Sequence, residues 1–222
     1  MSKPVLGYWD LRGIASPIRF LLNFADVDFE DKRYKYGPAP DFDKNEWLNE
    51  KLSLGLDFPN LPYYIDGDVK LTQSNAILRY LARKYKLGGE TEEEFIRLDL
   101  AEQQLFDLRL QLIRVVYDVA GYEKAREDYL KELPDKLQLL SNFLGDRKFI
   151  LGDKITYVDF LLYDLLDFNR LFEASSLDNF TNLKEYCDRF EALPAIDKYM
   201  KSGKYSRLPL FGPMAAFGGQ KE

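Results

Sequence analysis

Near residue 90 the spacing of apolar side chains changes, and this change limits the folds open to the chain. Before it, short apolar runs alternate with helical repeats; after it, the strong periodicities are helical. The pattern predicts two domains, a mixed α/β unit over residues 1–89 and an all-helical unit over 90–222.

In the first part, Pro4 to Trp9 reads as a buried strand that turns through Arg12-Gly13. Ser16 is expected as an N-cap with Pro17 at the first helical position, ahead of Ile18, Leu21, Leu22 and Ala25. Phe29 to Lys35 reads as a second strand, completing a βαβ unit. Two prolines and a glycine within 37–41 make a loop, and Asp43 to Lys51 is short and helix-permissive. Leu61 to Ile65 and Val69 to Thr72 flank Asp66-Gly67-Asp68, the strongest hairpin signal in the chain. Ser74 opens a helix that Gly88-Gly89 is expected to end.

In the second part, Thr91-Glu92-Glu93-Glu94 has the form of a capping box before a long amphipathic helix reaching about Val116. A second long helix is expected over Glu123 to Leu144, kinked at Pro134. Thr156 and Asp159 supply another N-cap before a helix apolar on most faces, and Leu183 to Leu193 and Ala195 to Lys201 complete the set.

Composition narrows the chemistry. The 222 residues include no histidine, so imidazole general bases and histidine-held metals are excluded. One cysteine, Cys187, forms no internal disulfide, and its place on the stripe Leu183, Cys187, Phe190 marks it as a core thiol. A formal charge of −6 argues against nucleic acid or an anionic membrane as partner. Charged residues within the first thirty and the lack of a long apolar run suggest a cytoplasmic protein. Any reaction must rest on Tyr, Ser, carboxylates, Lys or Arg, or on a nucleophile that the substrate brings.

Gly7-Tyr8-Trp9-Asp10 with Arg12-Gly13, the segment Trp47 to Lys51, Leu54 to Tyr63 with its Asn60-Leu61-Pro62 turn, and Thr72 to Ile77 stand in a definite order. Together with the Pro38-Ala39-Pro40-Asp41 loop and Lys154 to Phe160, the ordered set resembles the mu class of cytosolic glutathione transferases over nearly the whole chain. The resemblance implies a thioredoxin-like domain (βαβ-α-ββα, a four-stranded mixed sheet) followed by an all-α domain, no resident cofactor or metal, and reduced glutathione as cosubstrate. A histidine-free enzyme suits this chemistry, because a free thiol with a pKa of about 8.5 needs only a group that stabilises its thiolate.

By the same resemblance, Tyr8 donates its phenol to the sulfur. Trp9, Ile14, Lys44, Trp47 and Lys51 surround glutathione, the last two meeting its glycyl carboxylate. Lys44 stands where many relatives have an arginine-led segment. Asn60, Leu61 and Pro62 present main chain to the cysteinyl backbone, Gln73 and Ser74 hold the γ-glutamyl carboxylate, and Asp107 reaches across a homodimer to the γ-glutamyl ammonium. Tyr117, Ile14, Phe211, Met214 and Phe217 line the pocket for an apolar electrophile. Phe58 is the aromatic key that one subunit inserts into the other. Phe217, where several relatives have tryptophan, and Gly121, a one-residue insertion past Tyr117, depart from that pattern. A ligand carrier or structural protein on the same scaffold, or a glutathione-dependent isomerase or peroxidase, remains open as an alternative.

Overall fold

The computed structural model describes residues 3–219. Strand β1 (Val5–Trp9) lies inside a four-stranded sheet of order β2-β1-β3-β4, parallel to β2 (Glu30–Tyr34) and antiparallel to β3 (Tyr63–Asp66), which pairs with β4 (Val69–Thr72). The register sets Tyr8 beside Arg33 and Gly7 beside Tyr63. Gly67 takes φ of +61° in the hairpin turn, as an Asp-Gly signal requires.

Helix α1 (Ser16–Phe24) crosses from β1 to β2, α2 (Asn45–Leu48) is a single turn, and α3 (Ser74–Tyr85) follows β4. The helical part consists of α4 (Glu92–Tyr117), α5 (Tyr122–Leu144), α6 (Tyr157–Phe172), α7 (Thr181–Glu191) and α8 (Pro194–Met200). Pro134 lies inside α5, which continues across it.

Helix α6 is the central element, and its buried residues pack against α1, α4 and α7. Phe20 of α1 meets Tyr163 of α6 edge-on at 5.4 Å, and Tyr163 stacks on Phe190 of α7 at 4.2 Å. The start of α6 is fixed by Asp159, whose carboxylate accepts from the Thr156 backbone N–H at 2.8 Å, the Ile150 N–H at 2.9 Å and the Tyr186 hydroxyl at 3.2 Å. This confirms the expected cap and extends it to the preceding loop and to α7.

Two expected boundaries move, and one expected cap forms only in part. Ser16 is the first residue of α1 and not its N-cap, because a 3-10 turn (Gly13–Ala15) runs directly into the helix and leaves Ala15 helical at the cap. Helix α3 stops at Tyr85, and Lys86 takes the left-handed conformation expected of the glycines. At Thr91 only half of the capping box forms: Thr91 accepts the Glu94 N–H at 3.3 Å, while the Glu94 carboxylate takes the N–H of Glu90 instead. Cys187 is fully buried and burial pushes its thiol up to about 12, as an inert core thiol requires.

Candidate active site

The site grows from the end of β1. Tyr8 is buried in a small cluster with Tyr34, Trp47, Leu61 and Tyr63, and its hydroxyl emerges where the chain leaves the sheet. The 3-10 turn then wraps around that hydroxyl, so that the Ile14 N–H points at the Tyr8 oxygen from 3.4 Å. Gly13 makes the turn: its φ is +45°, and a Cβ there would stand 2.5 Å from the Tyr8 hydroxyl. Burial raises the Tyr8 pKa, against the Ile14 N–H and the charges of Arg109 and Arg19, which lower it. The group is therefore a protonated phenol at neutral pH, a donor and not a base.

Other segments close a cleft of about 190 Å³ beside the turn. Ile14, Leu61, Pro62, Gln73 and Ser74 line one side, and Phe106 and Arg109 of α4 the other. The Leu61-Pro62 bond is cis, and the Leu61 N–H donates to the Asn60 side chain at 2.9 Å. Gln73, the residue before α3, has φ of +69° and ψ of +109°, a conformation that costs a non-glycine residue about 1–3 kcal/mol. Ser74 is the first residue of α3, so its hydroxyl and the free N–H groups of the first turn face the same end of the cleft.

On the other side of Tyr8, buried Trp47 stacks on Tyr63 at 6.0 Å and meets Tyr34 edge-on at 5.5 Å, with Lys51 half-buried one helical turn later. Lys44 is exposed at the start of α2. Trp9 stacks on Tyr36 at 4.3 Å. Tyr117 ends α4, where its hydroxyl accepts the Gly212 N–H at 2.8 Å and its ring meets Phe211 edge-on. Phe211 is buried, Met214 is exposed, and Phe217 is half-buried against Phe172.

Asp107 is not among the residues that line the cleft of its own chain; it is exposed on α4 and accepts the Gln103 side-chain N–H at 2.9 Å. Phe58 is 74% exposed.

Sequence reasoning missed an ion network behind the turn. Arg109 donates to the Gly13 carbonyl at 2.9 Å and to Asp164 at 2.5 Å; Arg12 donates to the other Asp164 oxygen at 3.0 Å and to Asp167. Both aspartates are wholly buried on α6. Their signal was present as two acidic residues in the middle of a helix that is apolar on most faces. The C-terminal tail adds to the hold, accepting the Arg12 N–H at Pro209 and the Gly13 N–H at Leu210. Tyr36, which also belongs to this surface, carried no signal beyond a loop-side aromatic.

The site thus brings together a phenol donor at a strand end, a cis-proline turn and a strained residue before a helix N-terminus. The first part matches the model of the glutathione S-transferase N-terminal domain over residues 4–83, and the second that of the C-terminal domain over 106–203. Glutathione S-transferase Mu 1 of Oryctolagus cuniculus is 58% identical over 96% of this chain and 98% of its own length, and that of Bos taurus 55% identical over 97% and 99%. Among solved structures, the glutathione S-transferase Blo t 8 superposes with a TM-score of 0.89 at 39% identity, covering 96% of this chain and 99% of its own. The chain belongs to the glutathione S-transferase family and, within it, to the mu class. It is a transferase that conjugates glutathione, and the carrier reading is not favoured.

Proposed function

We propose that Tyr8 stabilises the glutathione thiolate and that the residues around it divide the rest of the tripeptide among them. Trp47 and Lys51 take the glycyl carboxylate, Lys44 adds charge at the rim, and Trp9 borders the same end. The Leu61 N–H, held by Asn60 in the free protein, pairs with the cysteinyl backbone across the cis turn at Pro62. Gln73 and Ser74 receive the γ-glutamyl carboxylate, where strain at Gln73 is the kind of distortion found at ligand clamps. An apolar electrophile then sits between Ile14, Tyr117, Phe211, Met214 and Phe217. In this reading residues 1–89 form the glutathione domain and 90–222 the domain that supplies the electrophile wall.

The observation that carries the assignment is the Tyr8 hydroxyl, kept protonated by burial and aimed into the turn at Ile14. A donor so placed stabilises a sulfur anion and needs no base. Thiolate formation of this kind asks only for hydrogen bonds to the sulfur.

The active unit in this proposal is a homodimer. Exposed Phe58 lacks an apolar cover in its own chain, and an apolar groove of about 260 Å³ between α4 and α5, walled by Leu100, Leu139 and Phe143, offers the complementary socket. Asp107, exposed on α4 and outside its own cleft, then serves the partner's γ-glutamyl ammonium. We infer a cytoplasmic protein from the resemblance to the mu class; separately, among the described residues no helix is long and apolar enough to cross a membrane.

Ultraviolet difference titration of bound glutathione tests the central assignment. The thiol should ionise one to two pH units below its value in buffer, about 8.5. Ionisation at the free value would remove Tyr8 from its role.

A further inference from the structure

We propose that Tyr36 is a second hydroxyl donor of the electrophile pocket, pairing with Tyr117 to hold an electrophile oxygen that gains negative charge when the thiolate attacks. The favoured substrates would then be epoxides and α,β-unsaturated carbonyls. This inference rests on the reading of the site given above and adds a residue to it.

Tyr36 lies two residues beyond β2, with its ring clamped on the indole of Trp9 at 4.3 Å and 20° between planes. Trp9 directly follows Tyr8, so the stack ties Tyr36 to the strand end that presents the sulfur donor. The C-terminal tail approaches from the opposite side. A Cβ on Gly212 would lie 3.1 Å from the Tyr36 hydroxyl and 3.2 Å from that of Tyr117. Glycine lets the two phenols approach this closely, since a Cβ would require each to give by a few tenths of an ångström.

Tyr117 already accepts the Gly212 N–H at 2.8 Å, which leaves its own proton to donate. Among the described residues the Tyr36 hydroxyl has no hydrogen-bonding partner. Burial raises its pKa, as do the neighbouring phenols of Tyr117 and Tyr8, so it too keeps its proton at neutral pH. Two protonated donors therefore stand together at Gly212, close enough to Tyr8 for the phenols to influence one another.

The chemistry follows from where the electron pair goes. In epoxide opening the sulfur–carbon bond forms as the carbon–oxygen bond breaks, and the pair moves onto oxygen. A phenol gives that oxygen its proton and is reprotonated from water. In addition to an enone, sulfur bonds to the β-carbon as the carbon–carbon π bond breaks, the pair moves through to the carbonyl oxygen, which the same donors hold, and the enolate then takes a proton from water at the α-carbon. An alkyl halide sends its pair off with the halide and has no oxygen to be held.

The experiment compares the wild type with Tyr36→Phe, which keeps the ring and its stack on Trp9, and with Tyr36→Phe/Tyr117→Phe. A styrene-type epoxide, an enone and benzyl chloride serve as electrophiles, with ionisation of bound glutathione followed in parallel. Tyr36→Phe should lower kcat/KM for the epoxide and the enone by about tenfold, and the double variant should lower it further. Benzyl chloride turnover should stay within about twofold and glutathione ionisation should be unchanged. Gly212→Ala, which pushes between the hydroxyls while keeping both, should reproduce the oxygen-selective loss. Equal losses on all three electrophiles would make Tyr36 a packing residue, and unchanged epoxide rates would exclude it; either result overturns the proposal. If bound glutathione fails to ionise in the wild type, the reading of Tyr8 falls first and this proposal with it.

Discussion

Replacing Tyr8 by phenylalanine removes one oxygen and leaves the ring in its cluster. Its one hydrogen bond in the free protein is a long acceptance from the Ile14 N–H at 3.4 Å, so the variant should lose less than about 1 kcal/mol of stability. The effect on the bound thiol is larger. A hydrogen bond to a charged group contributes about 1.5–3 kcal/mol, and each pKa unit is worth about 1.4 kcal/mol, so the donor should depress the thiol by roughly one to two units. At pH 6.5 a bound thiol of pKa about 6.5–7.5 is roughly 10–50% ionised, against about 1% at pKa 8.5. Turnover of a chlorodinitrobenzene-type acceptor should therefore fall about ten- to fiftyfold at pH 6.5. The inflection of log kcat/KM against pH should move up by the same one to two units, and the gap should narrow as pH rises past it. Because burial raises the Tyr8 pKa, its proton remains in place over this range and the wild type gains no second inflection from it. Profiles that run parallel with an unmoved inflection would refute the argument, since they would leave Tyr8 without influence on the sulfur.

Lys51→Met should raise KM for glutathione about fivefold with little change in kcat, because a half-buried charge on a remote carboxylate contributes about 1 kcal/mol of uniform binding; steady-state kinetics would contradict this by showing a fall in kcat alone. Phe58→Ser should shift sedimentation toward monomer at micromolar concentration, and an unchanged dimer would deny the residue its place at the interface. Asp159→Ala leaves the Ile150 and Thr156 N–H groups without their buried acceptor and should cost about 3–5 kcal/mol in urea denaturation, more than Thr156→Ala. Burial alone would raise the Asp167 carboxyl, but the guanidiniums of Arg12, Arg207 and Arg170 hold it at about 2. A depressed folded pKa gives stability that is complete above the unfolded value near 4 and is lost as pH falls through about 2, a swing of roughly 2–3 kcal/mol that Asp167→Asn should flatten in acid denaturation.

Local chemistry accounts for what was legible beforehand. Residues 69–72 were placed without error because the Asp-Gly turn fixes a hairpin register by itself. Thr156 and Asp159 declared their helix start by a reciprocal hydrogen bond three residues apart. Ser16 misled for a related reason: its hydroxyl and the following Pro17 have the form of a cap, yet the preceding turn is already helical and needs none. Lys86 in place of Gly88 shows tertiary packing overriding a glycine signal, with the Leu87 N–H returning to Ala82 and the Leu87 carbonyl accepting from Tyr157. The site residues on β1, the cis turn and the start of α3 were readable as motifs because each is a short contiguous device. Tyr36, Arg109 and the α6 aspartates were not, because the partners that bring them to the site, Gly212 for Tyr36, Asp164 for Arg109 and Arg12 for the two aspartates, lie 176, 55, 152 and 155 residues away and no local spacing encodes such contacts.

These long-range contacts supply the rigidity that the proposed hydrogen bond from Tyr8 to a thiolate demands. The turn at Gly13 and Ile14 has little structure of its own, and its precision comes from the helical part: Arg109 fixes the Gly13 carbonyl, and the tail accepts the Arg12 and Gly13 N–H groups. Asp164 in turn orients Arg109 and Arg12 together from the middle of α6. Buried ion pairs are a weak source of net stability because desolvation offsets their attraction, whereas breaking one leaves an uncompensated charge. A network of this kind, placed behind a glycine turn, suits fixing geometry better than adding stability. It also brings the Arg109 guanidinium close enough to lower the Tyr8 pKa, so the same cation that anchors the turn favours negative charge at its mouth. The helical part thus holds the turn beside Tyr8 in place, and under the proposed role of Tyr8 a change on α6 should be felt at the sulfur.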